Sequence, residues 1–271
     1  MGYDYLPEEL RPIADAVCSY LKDNRGVRTI HVESIIDPRI QYKPTISGNT
    51  NRGYLTCVDV SPSPYPPALD AFVLDCIKFG LPVKLYVANP ESKSGAVDER
   101  AIRRASSLGV GRIIISGDRI EVTNEALELS LIIQEIDTKI YPKKCRTGIS
   151  DAISTYQNGN PVKGVSDICD QLEEIIRKIA IKAKGKGMIP SSNKLNLERG
   201  ALANVIQLMT KHQVIRSAPL LARCLAITHI RNDSDHPPAN YQRRIKRHGR
   251  LRTHLNTALD LLKDLTDIKI P

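Results

Sequence analysis

The sequence predicts a chain in two parts, an α/β domain with a mixed sheet followed by an all-α domain. Three observations carry this. Between Val27 and Lys139 short β-branched runs alternate with amphipathic segments, and from Val165 onward only helical spacing recurs. Charge divides at nearly the same place: residues 163–271 hold 20 Lys and Arg against 10 Asp and Glu, and the residues before them hold 19 against 20. Between the two, Tyr141–Lys163 contains Pro, Gly and Asn with little periodicity, the composition of a connector. The division expected is an α/β domain over 1–142, a linker over 143–164 and a helical domain over 165–271.

In chain order, Pro7–Asn24 reads as an amphipathic helix with Leu10, Ile13, Val17 and Leu21 on one side. Val27–Ile40 carries two β-branched runs, Thr29–Val32 and Ile35-Ile36, broken by Asp37-Pro38. Gln41–Ser47 and Gly53–Val60 read as further strands about a turn at Gly48-Asn49-Thr50-Asn51. After a Pro-rich loop, Leu69, Phe72, Val73, Cys76 and Ile77 mark a helix, and Pro82–Ala88 a strand. Val97–Leu108 is a basic helix, Arg112–Ser116 a buried strand, Ile120–Val122 an edge and Glu125–Lys139 a returning helix. Gly109-Val110-Gly111 joins a helix to a strand and is a connector, not a phosphate loop. In the second part, Asp167–Lys184, Asn196–Lys211, Ala218–Ile230 and about Asn240–Asp267 give four helices with short connections, an up-and-down bundle.

Composition excludes several classes. Hydrophobic residues at 41% with charged residues at 25% fit a folded soluble protein rather than a disordered one. No apolar run is long enough to span a bilayer, and the first residues lack a signal peptide's basic and apolar regions. Six cysteines without a Cys-x-x-Cys pair, mostly inside apolar segments, are expected to be reduced core residues, and the compartment cytoplasmic.

The residues that point to chemistry stand at the end of the third helix: Arg231-Asn232-Asp233-Ser234-Asp235-His236, then Pro237-Pro238. The prolines forbid continuation of the helix, so His236 falls near its negative end. A fixed guanidinium beside a titratable imidazole suits holding a phosphodiester and moving a proton on its oxygens. Directly behind, Arg243, Arg244, Lys246, Arg247, Arg250 and Arg252 lie in a stretch with no acidic residue between His236 and Asp260, the footprint of a polyanionic partner.

Arg231, then Asn232, three further residues and His236, at the end of the third helix of a helical domain, resembles the HEPN superfamily motif. The resemblance covers about the last hundred residues. It implies a four-helix bundle acting as a homodimer, a metal-independent endoribonuclease without cofactor, and RNA as partner; toxin or antiviral defence roles follow by analogy. It would give Arg231 the scissile phosphate, His236 the proton transfer and Asn232 the orientation of the Arg. Arg231 and His236 are five positions apart, about 140° around an ideal helix. A second subunit or the Pro237-Pro238 turn must therefore complete the geometry.

The first part, with the order helix, three strands, helix, strand, helix, strand, resembles the PD-(D/E)xK restriction-endonuclease-like fold. There an acidic residue on the second strand and an acidic-x-Lys on the third hold a metal. Here Lys43-Pro44-Thr45-Ile46 has Thr in place of the acid, and Asp59 has Ser61, not Lys, two residues on. The domain is therefore expected to be non-catalytic, with Glu33, Asp37 and Asp59 serving turns. Two alternatives stay open: a nucleic-acid-binding module without chemistry, and a divergent metal-dependent DNA nuclease using Asp59.

Overall fold

A computed structural model describes residues 2–91, 98–133, 136–230, 240–266 and 268. The chain divides into two compact units. The first takes the described residues up to Ile132, Gln157–Gly159 and the last helix up to Gly249; the second takes the rest.

In the first unit, β1 (Val27–Val32), β2 (Ile46–Thr50) and β3 (Leu55–Val60) form an antiparallel meander. β4 (Val83–Pro90) and β5 (Gly111–Ser116) continue the sheet parallel to β3, and β6 (Arg119–Asn124) turns back antiparallel. The six strands lie in sequence order. Helix α1 (Arg11–Arg25) precedes β1, α2 (Ala68–Lys78) joins β3 to β4, and α3 (Glu99–Ser107) joins β4 to β5. The mixed sheet with parallel crossovers is the architecture the strand pattern predicts.

Successive residues of a strand face opposite sides, and here both sides are covered. Val58, Val60, Tyr86 and Ala88 pack with Ala14, Val17 and Leu21 of α1. Cys57, Leu85 and Val87 pack with Leu69, Phe72, Val73 and Cys76 of α2 and Ala105 of α3. Burial on both faces is why these strands read as near-continuous apolar runs rather than alternating ones. All six cysteines are buried and none is in a disulfide.

Four local expectations fail, the first being the Gln41–Ser47 strand, of which only Ile46 and Ser47 are strand. Ile35-Ile36 is not strand: β1 stops at Val32, and the chain bends through a turn in which the Asp37 carboxylate accepts from the Arg39 N–H and guanidinium. The expected Gly48–Asn51 turn is mostly strand, β2 running through Thr50. Gly48 is there for space, since a Cβ would stand 2.3 Å from Val27 Cγ1 and 2.8 Å from the Thr29 carbonyl oxygen. In place of the expected Glu125–Lys139 helix, the described residues form 3-10 turns at Leu129–Leu131 and Thr138–Ile140. Leu129, Ser130 and Leu131 are all buried, whereas a surface helix buries one stripe. The segment is pinned by the Leu127 N–H to the Gly109 carbonyl and by a bridge between Lys84 and Glu128.

Among the described residues, the helical part holds five helices rather than the expected four: α4 (Lys143–Gln157), α5 (Pro161–Gly185), α6 (Leu202–Lys211), α7 (Ala218–Ile230) and α8 (Tyr241–Thr266). The stretch 143–164, expected to be a linker, is mostly helix. Pro161 stands in the first turn of α5, where its missing N–H costs nothing, and the Asn160 side chain caps that turn by accepting from Lys163 N–H. α5 buries Ile168, Leu172, Ile175, Ile176 and Ile179, the stripe its spacing predicts. No helix of the described residues is long and apolar enough to cross a membrane.

Gly164 lets α4 and α5 approach each other. A Cβ there would lie 2.6 Å from the Ala152 carbonyl oxygen and 2.6 Å from Tyr156 Cβ. Gly164→Ala is therefore expected to destabilise the protein by about 1–3 kcal/mol despite Ala's better helix propensity. A urea titration checks this; an unchanged or raised midpoint would contradict the close packing.

Candidate nucleic-acid interface

The three residues of the predicted catalytic motif, Arg231, Asn232 and His236, lie outside the described residues. The helix that leads to them is described, with α7 spanning Ala218–Ile230 as its apolar periodicity predicts. Ser217 caps α7, its hydroxyl oxygen accepting from Leu220 N–H, and Leu221 and Cys224 are buried. Arg223 of α7 pairs with Asp264 of α8 at 2.7 Å.

α8 opens with Asn240 capping it, the Asn side chain accepting from Arg243 N–H. The sequence-predicted basic residues follow, and the structure divides them between faces. Arg243 and Lys246 are exposed and make no ion pair among the described residues, and Arg247 is half-buried. Positions 243, 246 and 247 fall on one side of the helix. Arg250, exposed, and Arg252, half-buried, belong to the second unit.

Arg244 belongs to another side. Its guanidinium grips the Glu128 carboxylate with two hydrogen bonds, Nε to Oε1 at 3.0 Å and Nη2 to Oε2 at 2.6 Å. Its Nη1 donates to the Arg52 carbonyl oxygen at 2.7 Å. One turn on, His248 Nδ1 stands 3.1 Å from the same Glu128 Oε1 and 2.8 Å from Ser130 Oγ, which itself donates to Glu128. Glu128 and His248 are each 3% exposed and Ser130 1%, so the three side chains form a buried cluster. Burial pushes the Glu128 carboxyl upward, but the bonds from His248 and Arg244 outweigh it and hold it at about 2. Arg244 is thus committed to packing α8 within the first unit.

Glu33, Asp37 and Asp59 each have separate partners. Asp37 closes the turn with Arg39, and Glu33 accepts the backbone N–H groups of Asp4 and Tyr5. Asp59 is buried on β3, accepting from the Thr45 hydroxyl at 3.2 Å, and burial raises its carboxyl above the ordinary range. Among the described residues no group of three His, Cys, Asp or Glu side chains is arranged to hold a metal.

Three residues absent from the sequence prediction frame a pocket of about 470 Å³ in the first unit: Arg52, Tyr54 and Lys84. One signal could have found them. Lys84 interrupts Val83-Lys84-Leu85-Tyr86-Val87, in which the other four are buried, and a lysine held in such a strand is seldom there for packing. The chain matches no family model, no curated protein and no solved structure.

Proposed function

We propose that the C-terminal helical part is a metal-independent endoribonuclease, with Arg231 and His236 as its catalytic pair and RNA as its substrate. The observation that carries the reading is the position of the motif: α7 runs to Ile230 and the basic helix α8 begins at Tyr241, so the motif joins the two. The second support is the exposed pair Arg243 and Lys246 on the first turns of α8, suited to phosphate contact.

In this mechanism the ribose 2′-oxygen attacks the adjacent phosphorus and the bond from phosphorus to the 5′-oxygen breaks. A 2′,3′-cyclic phosphate and a 5′-hydroxyl result. His236 takes the proton from the 2′-hydroxyl or returns one to the leaving 5′-oxygen, and a second copy of the chain supplies the complementary group. Arg231 stabilises the charge that gathers on the phosphoryl oxygens. The endonuclease-like order of the first unit's elements, with Asp59 sealed in a hydrogen-bonded core position, fits a recognition or assembly role for that unit.

A substrate with one ribose replaced by 2′-deoxyribose at the cleavage site tests the reading, because it removes the nucleophile alone. Cleavage should vanish there and persist elsewhere; undiminished cleavage of that substrate or of DNA would overturn it. Binding is separable from chemistry. The double substitution Arg243→Glu and Lys246→Glu is expected to weaken RNA binding at least about tenfold and to reduce its salt slope by about two. Fluorescence anisotropy across a salt series measures both, and unaltered affinity would remove these residues from the interface.

A further inference from the structure

The pocket framed by Arg52, Tyr54 and Lys84 lies at the end of the first unit's sheet where the central strands β3 and β4 begin. Lys84 is half-buried on β4, and its ammonium is disfavoured there by burial. Among the described residues no carboxylate stands within ion-pair distance of it. The two acids whose charge reaches Lys84 are already engaged: Glu125 by Arg25 at 2.6 Å, and Glu128 by Arg244 at 2.6 Å. Glu128 is the one acidic residue among the described lining residues, and Arg244 neutralises it. The charges of Lys84 and of exposed Arg52 are left uncompensated at the pocket. Holding a half-buried cation without a counter-ion is costly, and an incoming anion removes that cost.

The remaining wall narrows the kind of anion. The Tyr54 ring carries Lys84 Nζ at 5.3 Å and Arg244 Cζ at 5.7 Å from its centroid, so a planar aromatic group sits among the cations. Asn51 adds an amide that can donate and accept. The volume lies in the range of small-molecule sites and exceeds what a bare phosphate fills. We infer that this pocket binds a nucleoside monophosphate, its phosphate between Lys84 and Arg52 and its base against Tyr54. The inference does not rest on the ribonuclease reading, since none of these residues belongs to the motif.

Calorimetric titration of the full chain with the four ribonucleoside 5′-monophosphates, and separately with inorganic phosphate, tests it. Expected is one saturable site for at least one nucleotide, clearly tighter than for phosphate. Lys84→Met and Tyr54→Leu should each weaken it at least about tenfold, and Lys144→Met, in the second unit, should leave it unchanged. Arg52→Ala, in an exposed turn, serves should Lys84→Met fail to fold, and is expected to weaken binding severalfold. Failure of every mononucleotide to bind, binding of RNA oligomers alone, phosphate binding as tightly as a nucleotide, or affinity unaltered in Lys84→Met or Arg52→Ala would each overturn the assignment.

Discussion

His236→Ala is expected to slow RNA cleavage by about 10²–10⁴-fold with RNA affinity retained, the range removed when a positioned acid or base is lost. Arg231→Ala should cost about 10²–10³-fold, because the guanidinium acts on charge that gathers only in the transition state. Arg231→Lys should restore little of it, an ammonium lacking the planar fork that grips two phosphoryl oxygens. The double variant should be scarcely slower than the worse single one, since both residues serve one phosphate. Single-turnover kinetics at saturating enzyme separate this from lost binding. Normal rates in His236→Ala would contradict the mechanism. Asn232→Ala, removing an orienting group and not a reacting one, should lose less than either.

Replacing Glu128 by Gln is expected to destabilise the first unit by about 3–5 kcal/mol. The carboxylate is 3% exposed and holds both Arg244 and His248. Its loss leaves a buried guanidinium without a counter-charge, a far larger penalty than the net worth of the pair. Arg223→Ala makes the comparison, since its bond to Asp264 joins two partly exposed side chains and should matter by less than about 1 kcal/mol. Chemical denaturation of both variants measures the difference. The same carboxylate sets an acid limit. Its folded pKa, about 2, lies below the ordinary 4.5. The stability it contributes is thus complete above about pH 4.5 and lost as the pH falls through about 2. Glu128→Gln should flatten that acid limb, and an unchanged pH profile would contradict the ion pair.

The sheet was legible because its central strands are buried on both faces. Leu85–Ala88 and Ile113–Ile115 are apolar runs too short for helices, with Gly or Pro close on either side, and only strands suit them. The Glu125–Lys139 segment was not legible. Its Leu and Ile spacing fits a helix, but tertiary contacts around Leu129–Leu131 override local preference. Gly159-Asn160-Pro161 misled in the opposite direction, for the residues that end one element here begin the next: Asn160 and Pro161 are a cap and a first turn. The basic stretch of α8 is legible as a helix, but its residues do not share one surface. Positions 244, 248, 251 and 255 share a helical face on which His248, Leu251 and Leu255 are buried, and that spacing alone separates Arg244 from Arg243 and Lys246. Its partner, Glu128, stands 116 residues away in sequence, and no local pattern announces it.

The proposed activity is RNA cleavage through Arg231 and His236 without a metal. Incubating the wild-type and His236→Ala proteins with end-labelled RNA in EDTA, then identifying the termini produced, tests it most directly. Expected is wild-type cleavage leaving 2′,3′-cyclic phosphate and 5′-hydroxyl ends, and none from His236→Ala. Cleavage that requires added Mn²⁺ or Mg²⁺ and survives in His236→Ala would contradict it and move the chemistry to the first unit.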